Sequence, residues 1–212
     1  MASIAPGARE RKKAQTRTAF MQTAANLFAE RGYDAVTVED ICAAVDVSPR
    51  TFFRYFATKA DLVLASVTDV LGELLEDLRG RPADEPAWPA LSAMVLAAAD
   101  RITEQKQQFL PLVEVIRAAP ELVGSNAAVF DEWEREMTAE TARRLPDAAA
   151  KHARLLTGVA LTAFRVGIDE WAVGGGKGSA RTPLEINLEL VAQVGTRVTQ
   201  KGTAPSRTRS RG

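Results

Sequence analysis

The chain has 212 residues, 46% of them hydrophobic, and its 27 Lys and Arg balance 27 Asp and Glu. That composition excludes a disordered chain, the single cysteine, Cys42, excludes an intrachain disulfide, and no apolar run reaches the ~18 residues needed to span a bilayer. With no apolar stretch after the first methionine, a cytoplasmic location away from any membrane is expected.

The charges cancel overall yet are unevenly placed. Up to Ala60, nine bases against six acids leave +3; residues 61–200 carry 14 bases against 21 acids, a net of −7; Lys201, Arg207, Arg209 and Arg211 make the end +4. A basic head on an acidic body points to a polyanion site at one end.

The dominant period is helical and no alternating β-branched run is long enough for a sheet, so an all-α fold is expected. Residues 1–8 are predicted to be disordered. A first helix runs from about Arg9 to Arg31, with Phe20, Ala24, Leu27 and Phe28 on one face and Gly32 as its stop. Three helix starts follow closely. Thr37 with Asp40 and Thr58 with Asp61 have capping-box spacing, and Ser48 precedes a proline at the first helical position. They predict short helices at 38–45 and 49–56, then a long connecting helix over 59–79. The stretch GRPADEPAWP at 80–89 marks a boundary between the head, residues 9–58 with their connecting helix, and a larger helical unit at 80–200. Within that unit helices are predicted at 88–103, 106–118, 121–144, 147–173 and 183–200, with GGGKG at 174–178 as a linker. Residues 201–212 form a basic tail of low complexity, predicted to be disordered.

Two short helices joined by Val45 to Val47 form a helix-turn-helix, whose second member can enter the DNA major groove. In SPRTFFRYF, residues 48–56, Phe52 and Phe56 recur four apart and are expected to bury against Ile41, Val45 and the first helix. Pro49, Arg50, Thr51, Arg54 and Tyr55 are left facing outward. Arginine can donate two hydrogen bonds to guanine, threonine can touch the thymine methyl, and tyrosine or lysine can hold phosphate. Arg50 is the expected base reader, with Arg54 second. Thr37 and Lys59 stand at helix N-termini suited to an anion, and Arg11, Lys12, Lys13 and Arg17 can follow the backbone or enter the minor groove.

Residues 24–63, AANLFAERGYDAVTVEDICAAVDVSPRTFFRYFATKADLV, resemble the DNA-binding domain of TetR-family transcriptional regulators. The likeness rests on LFAERGY closing the first helix, VS before the recognition helix, the aromatic TFFRYF, and TKADL opening the fourth. Asp46 replaces the usual turn glycine, Phe53 stands where the family often has a phosphate-contacting tyrosine, and Cys42 where it often has alanine, read here as a buried structural thiol. The resemblance implies a helical C-terminal unit that binds a small effector and forms a homodimer. SPRTFFRYF also resembles a subset associated with acyl-CoA-like ligands.

The C-terminal half adds its own signals. Leu156, Ala160, Ala163 and Gly167 form a stripe of mostly small residues on the helix at 147–173, and Leu161, Phe164, Ile168 and Trp171 form a second, bulky stripe. With Leu184, Leu188, Val191, Val194 and Val198 of the last helix, the first stripe is expected to form a two-fold four-helix interface. Met94, Leu96, Phe109, Leu112, Ile116, Phe130, Trp133, Met137, Phe164 and Trp171 are candidate effector-pocket residues, Trp133 and Met137 the leading pair. No cofactor or metal is implied, since His152 is the single histidine and has no cysteine or second histidine to share an ion. The expected protein is therefore a homodimeric repressor, released from a palindromic operator by a small hydrophobic or amphipathic effector. The alternatives are a ligand-responsive activator, or a helical enzyme using the C-terminal cavity.

Overall fold

The structure, a computed structural model, describes residues 7–118 and 120–202; the side chains of 120–121, 123–129, 148 and 194–202 lie outside that description. The expectations for residues 1–6 and 203–212 fall outside it as well. Among the described residues every regular element is helical.

Helix α1 (Ala8–Arg31) buries Phe20, Ala24, Leu27 and Phe28 as the periodicity requires, and Gly32, at φ 82°, closes it by donating its N–H to Phe28 O. Helix α2 (Val38–Val45) opens with the Thr37–Asp40 box: the Asp40 N–H donates to Thr37 Oγ1 at 3.1 Å and the Thr37 N–H to Asp40 Oδ2 at 2.9 Å. Asp46 ends α2 in the left-handed region at φ 56°, a position that ordinarily favours glycine.

Helix α3 (Pro49–Phe52) stops four residues earlier than the 49–56 spacing predicts. From Phe53 to Phe56 the backbone continues as tight turns, with the Tyr55 N–H donating to Phe52 O at 2.8 Å and the Phe56 N–H to the same oxygen at 3.1 Å. Phe52 and Phe56 both insert against Phe20, with ring centroids 5.4 and 6.0 Å away, and the tightened turn accompanies that double insertion. Helix α4 (Lys59–Gly80) opens with the second capping box, Thr58–Asp61.

Helices α5 (Ala87–Glu104), α6 (Lys106–Ala118) and α7 (Pro120–Ala142) follow, then a 3-10 turn (Asp147–His152), α8 (Ala153–Val173) and α9 (Arg181–Gly202). The single helix predicted over 147–173 is thus divided at His152, which is exposed at the head of α8. Helix α4 packs along α7, α7 on α8 and α8 on α9, while α5 fills the space between α4, α8 and α9.

Two apolar cores result, and their division does not follow the proline-rich boundary at 80–89. Leu112 and Val115 of α6 and Leu122 of α7 join the N-terminal core around Phe20, Phe28, Ile41 and Phe52. Helix α6 therefore packs on α1 while the rest of the C-terminal helices close around Leu74, Leu91, Met94 and Phe164.

Candidate nucleic-acid interface and cavity

The turn between α2 and α3 positions the candidate reading residues. Because Phe52 and Phe56 are buried, Pro49, Arg50, Phe53 and Arg54 are exposed on the opposite face. Thr51 is half-buried, its Oγ1 3.3 Å from Ser48 Oγ. Tyr55 lies half-buried against Phe20, and the Arg54 guanidinium stacks 5.2 Å from the Tyr55 ring centroid, which restricts where that cation can reach. Phe53, 56% exposed and three residues beyond Arg50, shares its face. The sequence reading gave Phe53 no contact, although its offset from the Phe52 and Phe56 pair already placed it outside.

Arg11, Lys12 and Lys13 are exposed on the first turns of α1. Arg17, grouped with them in the sequence, is instead turned to α4: it donates to Asp69 at 2.6 and 2.9 Å and to Ala65 O at 3.5 Å. Lys59 is likewise engaged. Its Nζ donates to Tyr33 O at 2.7 Å and Val36 O at 2.9 Å and sits 4.0 Å from the Tyr33 ring centroid, so it staples the loop before α2 to the start of α4. For Thr37 and Lys59, what remains available to an anion is the backbone at each helix N-terminus. Cys42 is buried, and desolvation, aided by Glu39, pushes its thiol above the ordinary value.

A cavity of about 250 Å³ lies between α4, α6, α7 and α8. Phe109, Leu112 and Ile116 line it from α6, Phe130 from α7 and Phe164 from α8, all five expected from sequence. The remaining pocket candidates lie elsewhere. Met94 and Met137 are fully buried among packed helices, and Trp133 packs over Gly72. Trp171 is buried with its Nε1 donating to Gly178 O at 3.2 Å, and Leu96 packs on the core. The sequence reading missed the α4 wall, Ser66, Val67, Val70 and Leu71, because α4 was taken as a connector. It also missed the partly exposed Arg117 and Asp169, paired at 2.6 Å between α6 and α8.

The expected interface stripe is corrected by one residue. Ala160 and Gly167 are buried within the subunit, and Gly167 faces Leu184 so closely that an added Cβ would lie 2.3 Å from Leu184 Cδ1. Ala163, Leu184 and Leu188 are buried with them, and Leu156 packs half-buried on the same core. Leu155, 65% exposed, Val159, Thr162 and Val166 form the outward stripe of α8. With Leu190, 52% exposed, and Val191 of α9 they line a shallow groove that also takes in Ala163. The side chains of Val194 and Val198 lie outside the described residues.

Residues 20–66 match the family model described as bacterial regulatory proteins, tetR family. The HTH-type transcriptional regulator TcmR of Streptomyces glaucescens is 31% identical over 145 residues, 66% of this chain and 64% of that protein, so the chain spans less than two thirds of its length. Among solved structures, FadR of Bacillus subtilis in complex with stearoyl-CoA is similar with a TM-score of 0.61 at 15% identity, over 82% of this chain and 96% of that one. Thermus thermophilus FadR, described as a transcriptional repressor in complex with lauroyl-CoA, gives 0.54 at 22% identity, over 92% and 99%. At these identities the two structures share the fold. Among the described residues no helix is long and apolar enough to cross a membrane.

Proposed function

From the premise that the chain belongs to the TetR family of bacterial regulatory proteins, we propose that it is a homodimeric cytoplasmic repressor, released from a palindromic operator by a small hydrophobic or amphipathic effector. The observation that carries the reading is the exposed face of Arg50, Phe53 and Arg54, held outward by the burial of Phe52 and Phe56 in the same nine-residue stretch. Arg50 takes the base-reading role through a bidentate bond to guanine, and Phe53 adds an apolar contact of the kind that meets a thymine methyl. Lys12, Lys13 and the helix N-termini supply phosphate contacts.

The corrected stripe, Leu155, Val159, Thr162, Val166, Leu190 and Val191, is the natural surface for a second copy. The same groove also holds Asn187 and the Arg154–Glu134 pair at 3.3 Å, and a second copy packed about a two-fold axis would take its exposed apolar residues out of water. Two recognition units about 34 Å apart then address successive major grooves.

Coupling runs through α6. Leu112 and Ile116 wall the cavity and at the same time pack on the N-terminal core, so an occupant that displaces α6 or α4 also shifts α1. An effector preferring the non-binding spacing by about 3 kcal/mol weakens operator binding ~150-fold.

The test is selection of DNA from a random library by the purified protein at fixed salt, repeated with Arg50→Ala. A two-fold symmetric site is expected, and the variant should lose preference at one base pair per half-site with a cost of about 1–3 kcal/mol. An unchanged motif would remove Arg50 from base reading, and recovery of nothing above background by dimeric protein would overturn the reading as a whole.

A further inference from the structure

Ser66 lies on α4 in the cavity wall, 4% exposed, and its Oγ has no hydrogen-bond partner. Buried hydroxyls are ordinarily satisfied, so an orphaned one facing a cavity calls for an explanation. It also lacks the adjacent base that would make it a nucleophile.

The other lining is informative by its polarity. Val67, Val70, Phe109 and Phe164 are apolar, whereas the polar lining residues Arg117, Arg165 and Asp169 are exposed or half-exposed. Arg117 is already neutralised by Asp169 at 2.6 Å. A charged ligand atom at Ser66 would be stripped of water with no deeply buried counter-ion beside it, which disfavours an anion there. An uncharged hydroxyl or carbonyl meets Ser66 at no such cost. Size narrows the class further. The cavity of about 250 Å³ falls between the ~150 Å³ of a cavity that holds benzene and the roughly 300–1,000 Å³ usual for drug-sized ligands. It suits a frame of one or two rings better than a long acyl chain.

We propose that Ser66 is the polar anchor of the effector cavity, and that its ligand is a compact, uncharged, mostly apolar molecule bearing one hydroxyl or carbonyl oxygen. This rests on the effector-responsive reading above and names the chemistry of that same cavity. It departs from the acyl-CoA ligands held by the two FadR structures.

Equilibrium dialysis of the full chain against 2-naphthol and naphthalene, matched in shape and differing by one hydroxyl, tests the anchor. The wild type should bind 2-naphthol about tenfold more tightly. Ser66→Ala should bind both alike, with naphthalene within about twofold of wild type, which also shows that the cavity is intact. Equal binding of the pair by wild type, a preference retained in Ser66→Ala, or binding of lauroyl-CoA alone would overturn the proposal. Operator release is read separately by gel shift. Ser66-dependent binding without release would leave the anchor standing and sink induction; release by lauroyl-CoA with no naphthol binding would do the reverse.

Discussion

Gly167→Ala separates intrasubunit packing from contact across the proposed dimer at a place where the sequence pattern and the structure part company. A β-carbon there would lie 2.3 Å from Leu184 Cδ1, 2.9 Å from its Cγ and 3.1 Å from its backbone N. Rotation of the Leu184 side chain can relieve the first two contacts. The third involves α9 backbone, so α8 and α9 must move apart by a few tenths of an ångström. Overpacking of this kind costs about 1–3 kcal/mol, and alanine returns up to about 1 kcal/mol of helix propensity relative to glycine. With that return in full, the expected net is a loss of up to about 2 kcal/mol. Urea unfolding at several protein concentrations is the assay, because the monomer's own stability and the dimer's association respond differently to concentration. Replacing Leu184 with alanine removes a buried side chain, so that variant alone is also destabilised. The double variant should nevertheless be less destabilised than the sum of the two, since the first clash has gone. If Gly167→Ala left subunit unfolding untouched and instead raised the dimer dissociation constant, the packing of α8 on α9 described above would be wrong and Gly167 would face a second copy.

Two further substitutions probe how the head and the body are each held together. Arg144, nearly buried, pairs with Glu140 at 3.0 Å and donates to Leu78 O and, at 3.3 Å, to Arg81 O, capping the end of α4 from the turn that follows α7. Arg144→Ala should cost about 3 kcal/mol in urea unfolding, the low end for a broken buried pair because Arg143 still reaches Glu140 at 2.8 Å. A cost under 0.5 kcal/mol would show that this cap carries no stability, roughly the level of an ordinary surface change. The Asp40 carboxyl is held below its ordinary value of 3.8, first by the Thr37 backbone N–H and then by the Thr37 hydroxyl. A lowered folded pKa means that its stabilisation is complete above pH 3.8 and is lost as the pH falls through the lowered value. Melting temperature followed from pH 5 to 3 should therefore fall less steeply in Asp40→Asn than in the wild type; parallel curves would refute the capping box as a source of pH dependence.

The head was legible because its determinants are local. A capping box needs only the Thr37–Asp40 spacing, and the left-handed turn at Asp46 is fixed by the short connection between two apolar faces. The end of α3 was not legible, since its tightening comes with the packing of Phe52 and Phe56 against Phe20 of another helix. The side of α8 that meets solvent was missed by one position, which on a helix is 100° of rotation. Leu156, Ala160, Ala163 and Gly167 read as a path for close approach because most of them are small, and it is the seat of Gly167 on Leu184 that turns that path inward, within the subunit.

The cavity was only half legible, for a deeper reason. Of the large apolar residues expected to wall it, Met94, Met137 and Trp171 instead fill the interior, as the bulkiest side chains in a close-packed core tend to. The α4 part of the cavity wall is Ser66, Val67, Val70 and Leu71, whose spacing is the same as that of any core-facing stripe. A cavity is set by how far neighbouring helices stand apart, and no single helix records that distance in its sequence. What a single helix can record is a polar residue on a face that should be apolar. Ser66 lies between Leu62 and Val70 at four-residue spacing on α4; that break in pattern was readable, and it marks the residue to which the ligand chemistry has been assigned.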